Sequence, residues 1–541
     1  MQILKTAETV DFSDVLICFT PREYTIMIEI GDKALTLNDM RAVVEEGQQV
    51  KLSVRALKKV EESYTFLNSF SKGKLIYGIN TGFGPMAQYK IKEKDLKQLQ
   101  YNLIRSHCSG TGNLLEANDV RSLMVVRLSS MMQGYSGVHK ELVLLLKDLI
   151  NKEIYPCIYA HGGVGASGDL VQLAHLALAL IGEGDVVYKG KITKTASAFK
   201  KEKLKPISIH NREGIAVLNG TSAMTGIGAI NISHAARLVN WSVIFSTMIN
   251  EVVEAFDDHF STELNNLKLH KGQQKIAAAM KKISAKSKLI KKRSEILYQS
   301  ENIEKQDILK EKVQEYYSLR CVPQILGPIL DTIVYAENVV MNEVNSVNDN
   351  PIIDKANHDV FHGGNFHGDY ISLEMDKLKI AITKLAMLAE RQLNYLLNDK
   401  LNQKLPPFLN LGVLGLNYGM QGMQFTATST VAECQTLSMP AYIHSIPNNN
   451  DNQDIVSMGT NSALITRKVI ENAYEVMAIH AIAVAQAVDG MNCSDKLSPF
   501  SKTIYQKIRK ICPAIREDRT MYTSIENVKE YLNNEKINLL F

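Results

Sequence analysis

The chain has 541 residues, of which 45% are hydrophobic and 22% are charged, a balance that excludes a disordered or membrane-embedded chain. At this length we expect more than one large folded unit, or one elongated assembly. The 61 Lys and Arg nearly balance the 57 Asp and Glu, and the net charge of +4 predicts a small-molecule ligand rather than nucleic acid or anionic lipid.

Short elements are predicted near the N-terminus. The segment YTIMIEI, residues 24–30, is rich in β-forming side chains and predicts a strand. Thr36, with Asp39 three residues later, matches a capping box and predicts the start of a helix that Gly47 ends.

A second helix is predicted from Ser53 to near Gly73. Its apolar residues recur at helical spacing and predict one buried face, formed by Val54, Leu57, Val60, Tyr64 and Leu67. The segment YGINTGFGP, residues 77–85, follows with three glycines and a proline, which predict a loop.

Long helical stretches dominate from about residue 220 onwards. Residues 373–397 and 463–488 contain few helix breakers and predict bundle helices. The second stretch is apolar or small on almost every face, which is typical of a helix inside a bundle or at a subunit interface. We therefore predict a mainly α fold, with a smaller mixed region over residues 1–220 and an elongated bundle with the oligomer interface over residues 221–541.

One stretch, residues 268–293, contains ten Lys and Arg and no Asp or Glu. It has no aromatic side chains that could stack on bases, and charge runs of this kind are usually solvated faces. We therefore predict no nucleic-acid partner.

The seven cysteines form no CxxC pair and show no regular spacing. This pattern indicates reduced thiols in a cytoplasmic protein. The first residues, MQILKTAETVDFSD, lack a basic start followed by an apolar core, so no secretory signal is predicted. No apolar run approaches the roughly 20 residues that a membrane helix requires.

A glycine-rich segment, HGGVGASGDLVQLAH (161–175), precedes a helical apolar run. A phosphate loop would place Lys-Ser or Lys-Thr after the last glycine, and Asp169 would repel phosphate. A nucleophilic serine of the G-x-S-x-G type is nearly matched, but the second glycine is displaced and we expect no strand before it. Spacing alone also leaves a structural turn open.

Together with YGINTGFG (77–84), the segment GASGDL (165–170) resembles the histidine, phenylalanine and tyrosine ammonia-lyases. The resemblance covers roughly residues 75–500 in the same order. The other matching segments are SHCSGTG (106–112), VLNGTS (217–222), QEYYSLRCVPQ (314–324), NDNP (348–351), GGNFHG (363–368) and NQDIVSMG (452–459).

In that family an Ala-Ser-Gly tripeptide cyclises and loses two waters to form 4-methylidene-imidazol-5-one (MIO), and no external cofactor is used. The resemblance assigns the tripeptide to Ala166, Ser167 and Gly168. The residue types suit the reaction, because the Gly168 nitrogen must attack the Ala166 carbonyl and a residue without Cβ folds tightly enough. The resemblance implies that MIO takes up the substrate amine while a base removes the β-proton.

The resemblance also implies roles for side chains of the site. Tyr77 is the candidate base, or else an aromatic side chain that only covers the site. Arg320 is the expected partner of the substrate carboxylate, or else part of a surface ion pair. Asn219 and Tyr317 are expected to orient the MIO oxygen and the substrate amine. The other residues expected at the site are Gln314, Asn350, Phe366, Glu433 and Gln453.

Selectivity in this family is associated with two adjacent residues that face the substrate ring, here Ser106 and His107. A polar pair favours a phenol or an imidazole and penalises phenylalanine, because an unpaired buried polar group costs about 1–3 kcal/mol. His107 bonded only within its own protein is the alternative.

The segments DLVQL, NGTS, GGNFHGDY and IPNNNDNQDIVSMG resemble bacterial tyrosine ammonia-lyases and depart from the usual GTQ, DLAPLAH and EDHVSMG of histidine ammonia-lyases. We therefore expect L-tyrosine to be converted to trans-4-coumarate and ammonia, with L-histidine to urocanate second and phenylalanine third.

The resemblance further implies a homotetramer whose active sites are shared among subunits. An aminomutase that returns ammonia to the β-carbon and a degenerate scaffold with an unmodified tripeptide are the alternatives. The histidines show no spacing that gathers metal ligands on one helix, so no metal is predicted.

Overall fold

In a computed structural model of the chain, the structure describes residues 27–298, 308 and 312–541. Over these residues helices dominate, which confirms the mainly α prediction. The helices are α1 (Leu37–Val44), α2 (Val54–Phe70), α3 (Leu96–His107), α4 (Ala117–Met132), α5 (Lys140–Asn151), α6 (Leu170–Leu180), α7 (Thr195–Glu202), α8 (Glu213–Leu218), α9 (Ser222–Val252), α10 (Thr262–Asn266), α11 (Lys271–Ile283), α12 (Arg293–Ile296), α13 (Tyr317–Arg320), α14 (Val322–Val344), α15 (Asp369–Leu397), α16 (Asp399–Asn402), α17 (Gln421–Leu437), α18 (Gly459–Gly490), α19 (Pro499–Ile511) and α20 (Tyr522–Asn534).

The strands within the described residues are short and form four small sheets. β1 (Ile28–Ile30) pairs in parallel with β2 (Val50–Leu52). The remaining pairs are antiparallel: β3 (Thr111–Leu114) with β5 (Tyr159–His161), β6 (Asp185–Tyr188) with both β4 (Ile154–Pro156) and β7 (Lys191–Lys194), and β8 (Ile352–Asp354) with β9 (Asp359–Phe361). All but β8 and β9 precede residue 220, so the N-terminal region is the mixed one, as predicted.

The predicted N-terminal elements are largely confirmed. The capping box is present, because the Asp39 amide donates to Thr36 Oγ1 over 3.2 Å and the Thr36 amide donates to Asp39 Oδ2 over 2.8 Å. The predicted strand is β1, although residues 24–26 lie outside the described residues.

The predicted buried face of α2 is wrong at its first residue. Val54 is 86% exposed, and the buried residues are Ala56, Val60, Ser63 and Leu67. Side chains tilt toward the N-terminus of a helix, so the side chain of a first residue projects past the end of the face that packs.

Four long helices, α9, α14, α15 and α18, pack together as the centre of the bundle. Residues 476–488 of α18 are all buried within the chain, because α9, α15, α17 and α20 pack around this helix. The apolar character of α18 is therefore explained by burial inside one chain, without a subunit interface.

One hydrophobic core runs through both halves of the described chain. It contains Leu123 of α4 and Ile227 of α9, which lie on opposite sides of residue 220. The predicted boundary falls in the short loop between α8 and α9. The division into residues 1–220 and 221–541 stays a prediction.

Four of the ten basic residues of the stretch, the lysines at 271, 275, 281 and 282, lie on α11 and are exposed opposite a buried apolar face. The cysteines within the described residues form no disulfide with one another. Cys18 lies outside the described residues. None of the described helices combines the length and the apolar composition that a membrane span requires.

Helices α4 and α9 approach closely at Gly226. A Cβ on Gly226 would lie 2.6 Å from the backbone nitrogen of Leu123, whereas a Cβ on Gly228 would lie 3.6 Å from Met375. The first distance is shorter than the contacts that Cβ atoms make and involves backbone that cannot rotate away, and the second is ordinary contact.

We predict that Gly226→Ala destabilises the protein by about 1–3 kcal/mol, because overpacking forces α4 and α9 apart. Gly228→Ala is the matched control on the same helix and should be neutral or stabilising by up to about 1 kcal/mol, since alanine favours helix. Midpoints of thermal unfolding of the two variants test this. Equal midpoints would show that the helix contact at Gly226 is not tight.

Candidate active site

The glycine-rich segment connects β5 to α6 and holds the tripeptide of residues 166–168. A strand therefore does precede it, contrary to expectation. Gly168 has φ +71°, and a Cβ on it would lie 2.0 Å from the carbonyl oxygen of Gly220. Both its backbone conformation and its contact with Gly220 require glycine here.

Asp169, the next residue, has a fully buried carboxylate that ties the segment to two long helices. The carboxylate accepts hydrogen bonds from the backbone amides of Ala223 (2.7 Å) and Met224 (3.0 Å) at the start of α9, and from Thr460 Oγ1 (2.5 Å) at the start of α18. Burial raises the pKa of Asp169 to about 6, although these donors oppose the rise.

Two amide side chains hold Ser167. Asn219 follows α8, is 4% exposed, and donates from Nδ2 to the carbonyl oxygen of Ser167 over 3.1 Å. Gln453 lies in the loop before α18 and donates from Nε2 to Ser167 Oγ over 3.1 Å. The carbonyl and the hydroxyl of Ser167 are thus each fixed by a donor.

Ser167 lies at the wall of a cavity of about 410 Å³. Eight of the predicted site residues line it: Tyr77, Ser106, His107, Ser167, Asn219, Asn350, Phe366 and Gln453. Ala166 and Gly168 flank Ser167 in the chain. This volume is suitable for a small ligand such as an amino acid.

Tyr77 stands on the loop that covers one side of the cavity. Its phenolic oxygen accepts a hydrogen bond from the backbone amide of Gly84 over 3.2 Å, and its ring meets that of Phe83 edge to face with centroids 6.2 Å apart. The short helical turn Gly84–Met86 follows Phe83. The loop is therefore closed on itself around the Tyr77 hydroxyl.

Ser106 and His107 end α3 on another side of the cavity. His107 Nδ1 lies 2.9 Å from the carbonyl oxygen of Leu103 and 3.1 Å from Ser106 Oγ. Ser106 Oγ donates to the same Leu103 carbonyl over 3.1 Å. Since this carbonyl can only accept, Nδ1 of His107 is the donor in this contact.

A family profile described as aromatic amino acid lyase matches residues 35–510 of the chain. The chain belongs to the aromatic amino acid lyase family.

Relatives of this family member include histidine ammonia-lyases and tyrosine aminomutases. A probable histidine ammonia-lyase of Thermoplasma volcanium is 40% identical over 514 residues, which are 95% of this chain and 100% of the relative. A tyrosine 2,3-aminomutase of Myxococcus fulvus is 37% identical, over 92% of this chain and 95% of its own. The crystal structure of a tyrosine aminomutase from Streptomyces globisporus matches with a TM-score of 0.91 at 35% identity, covering 94% of this chain and 97% of that one.

The aromatic amino acid lyases of this group are MIO-dependent enzymes that form the electrophile from their own backbone, without an external cofactor. The tripeptide of this lyase fits that group. Gly168 occupies a conformation and a space that only glycine can take, and Ala166 is small and 6% exposed. Asn219 would hold the MIO ring, because it donates to the Ser167 oxygen that becomes the ring carbonyl.

Three predicted residues of this lyase lie elsewhere in the single chain. Gln314 and Tyr317 line a second cavity, of about 860 Å³. Arg320 donates to Gln314 Oε1, and its guanidinium lies 4.8 Å from the ring centroid of Tyr317. The ring of Tyr317 is 70% exposed. One chain therefore brings these three residues to each other but not to Ser167.

Glu433 also lies outside the first cavity. It sits on α17 with an exposed side chain, whose Oε2 accepts a hydrogen bond from Asn472 of α18 over 2.7 Å.

Sequence reasoning missed several residues that line the first cavity of this lyase. The additional side chains include Met86, Leu99, Asn102, Leu170, Ile215, Asn449 and Asn452. Asn449 and Asn452 belong to the IPNNNDNQ segment quoted for its resemblance, so they could have been assigned from it. Leu99 and Asn102 precede Ser106 by seven and four residues on α3, and helical spacing was their only signal.

We predict that wild-type stability relative to Asp169→Asn increases as the pH falls. The pKa of Asp169 is raised to about 6, so the folded protein binds more protons than the unfolded chain between that value and the ordinary value near ~3.9. The relative gain between pH 7 and pH 5 should be about 1 kcal/mol. Thermal unfolding of both proteins at pH 5, 6 and 7 measures it. If the stabilities of wild type and Asp169→Asn changed in parallel with pH, the raised pKa of Asp169 would be refuted.

Proposed function

We propose that the protein eliminates ammonia from L-tyrosine and releases trans-4-coumarate. The observation that carries this proposal is the hydrogen-bonding state of His107. Nδ1 is held by the Leu103 carbonyl, so Nε2 is the ring nitrogen that we assign as the acceptor for a ligand in the cavity that His107 lines. A phenolic hydroxyl donates well to such an acceptor, and the ring of phenylalanine has no donor to give.

The reacting end of the substrate lies at Ser167 in this proposal. MIO supplies an electrophile that takes up the substrate amine and makes it a better leaving group. Tyr77 removes the β-proton, and the Gly84 amide, which donates to the phenolic oxygen, stabilises negative charge on that oxygen. Asn219 holds the ring carbonyl oxygen, and Gln453 lies beside the former Ser167 hydroxyl.

A second subunit completes each site in this proposal. Arg320 binds the substrate carboxylate, and Nε of its guanidinium has no hydrogen-bond partner among the described residues. Gln314 and Tyr317 accompany Arg320 because they contact it directly. In this proposal Glu433 reaches the site from helix α17 of another subunit. This arrangement accounts for four predicted site residues that lie away from the first cavity.

Exposed apolar side chains support a homotetramer. Such side chains lie on α14 (Val334, Tyr335), α15 (Tyr370, Leu373, Ile380) and α17 (Phe425), and on the loops around α17 (Val413, Leu414, Leu416, Tyr418, Met439, Ile443, Ile446). A monomer rarely exposes so many large apolar groups on neighbouring elements. We propose that these surfaces are covered by other subunits, which also bring Arg320 to Ser167.

The names of the relatives favour two other candidates. L-Histidine to urocanate is the second, because an imidazole N–H can also donate to His107 Nε2. An aminomutase that produces β-tyrosine is the third, and it requires the same electrophile and the same ring contact.

A product assay with L-tyrosine, L-histidine and L-phenylalanine, each supplied separately, tests the proposal. We expect 4-coumarate as the main product by mass and retention time. Urocanate as the main product would show that histidine, and not tyrosine, is the substrate. β-Tyrosine as the main product would show that the enzyme is an aminomutase.

We predict that His107→Phe lowers kcat/KM for tyrosine about tenfold to a hundredfold, because it removes the acceptor for the phenol. Activity with phenylalanine should be retained or increased. Ser106→Ala is the matched control and should have little effect, since Leu103 still holds His107. An unchanged ratio of tyrosine to phenylalanine activity in His107→Phe would contradict the ring contact.

We predict that co-expressed Ser167→Ala and Arg320→Ala chains recover activity that each lacks alone. If the two residues of a site come from different subunits, about one site in four is intact after random mixing. Purification on two different tags isolates the mixed oligomers. Mixed oligomers without activity would show that Ser167 and Arg320 of the same chain must act together.

A further inference from the structure

His367 contacts the oxygen of the tripeptide that ring formation must remove. Its Nδ1 lies 3.4 Å from the carbonyl oxygen of Ala166, and its Nε2 lies 3.3 Å from Oδ2 of Asp369. His367 belongs to the GGNFHG segment, in which the resemblance assigns only Phe366 to the site.

The backbone around His367 is fixed against the tripeptide segment. The amide of Gly368 donates to the carbonyl oxygen of Gly165 over 3.0 Å. The amide of His367 donates to the carbonyl oxygen of Gly364 over 2.9 Å. Asp369 begins α15, so the carboxylate that faces the imidazole stands on a long, rigid helix. The imidazole is therefore held between a carboxylate and the carbonyl that reacts.

Cyclisation of the tripeptide changes the charge on this carbonyl oxygen. The Gly168 nitrogen forms a bond to the Ala166 carbonyl carbon, and the electron pair of the C=O double bond moves to the oxygen. That oxygen leaves as water with the protons from the Gly168 and Ser167 nitrogens. The second water consists of the Ser167 hydroxyl and the proton from its Cα, so the two dehydrations balance without an oxidant or other reactant.

A donor at the Ala166 oxygen accelerates the first step, because the oxygen becomes negative as the nitrogen attacks. The carbonyl oxygen of Ala166 has no proton to give, so the group that can bond it from His367 is an N–H on Nδ1.

We propose that His367, held by Asp369, is a catalytic residue of MIO formation that donates a hydrogen bond to the Ala166 carbonyl oxygen during cyclisation. The proposal rests on MIO formation from residues 166–168 and assigns His367 no part in turnover of the amino acid. It separates two groups around the tripeptide: Asn219 holds the oxygen that stays on the ring, and His367 activates the one that leaves.

The test follows maturation directly, by the mass of the peptide that contains residues 166–168 at successive times after a pulse of cell-free synthesis. We compare wild type, His367→Ala, His367→Gln and His362→Ala. His367→Gln keeps an N–H donor at this place, and His362→Ala removes an exposed histidine five residues away on the same segment. Circular dichroism and gel filtration confirm equal folding.

Loss of both waters should be slowed about a hundredfold in His367→Ala, since removal of one oxyanion donor has an effect of this size. It should recover to within about tenfold of wild type in His367→Gln, and remain unchanged in His362→Ala. A wild-type rate of water loss in His367→Ala would overturn the proposal. It would also be overturned if His367→Ala and His367→Gln both folded and lost the two waters equally slowly. A wild-type peptide without the deficit of two waters would instead contradict MIO formation itself.

Discussion

The buried carboxylate of Asp169 holds the site together. It accepts from the first amides of α9 and from Thr460 of α18, so the residue next to the tripeptide is tied to two of the longest helices. The start of a helix favours negative charge, and here the protein's own carboxylate fills the place where an anion would bind.

The tripeptide is therefore a local structure with distant supports. Gly168 contacts Gly220, Ser167 is held by Asn219 and Gln453, and the segment before it bonds to Gly368. These contacts come from three separate parts of the chain, since Asn219 and Gly220 are adjacent. Their convergence requires the whole bundle, since α9, α15 and α18 each begin beside the tripeptide. The long helices thus fix the positions of the backbone groups that surround residues 166–168.

Local features were predictable from the sequence because neighbouring residues determine them. The capping box at Thr36, the loop after Tyr77 and the long helices α15 and α18 depend on short-range pattern. Val54 was misjudged because periodicity does not show where a packed face ends. The resemblance implies active sites shared among subunits, but the motifs do not show that Arg320 is one of the residues that lie apart from Ser167 in a single chain.

The central claim is that Ser167 provides the electrophile on which ammonia elimination depends. The most direct measurement is the turnover of Ser167→Ala with the substrate that the wild type converts best, in protein shown to assemble like wild type. The account predicts that this variant keeps its fold and oligomer size but loses turnover, because no methylidene group can form without the serine hydroxyl. Near-wild-type turnover by Ser167→Ala would contradict it.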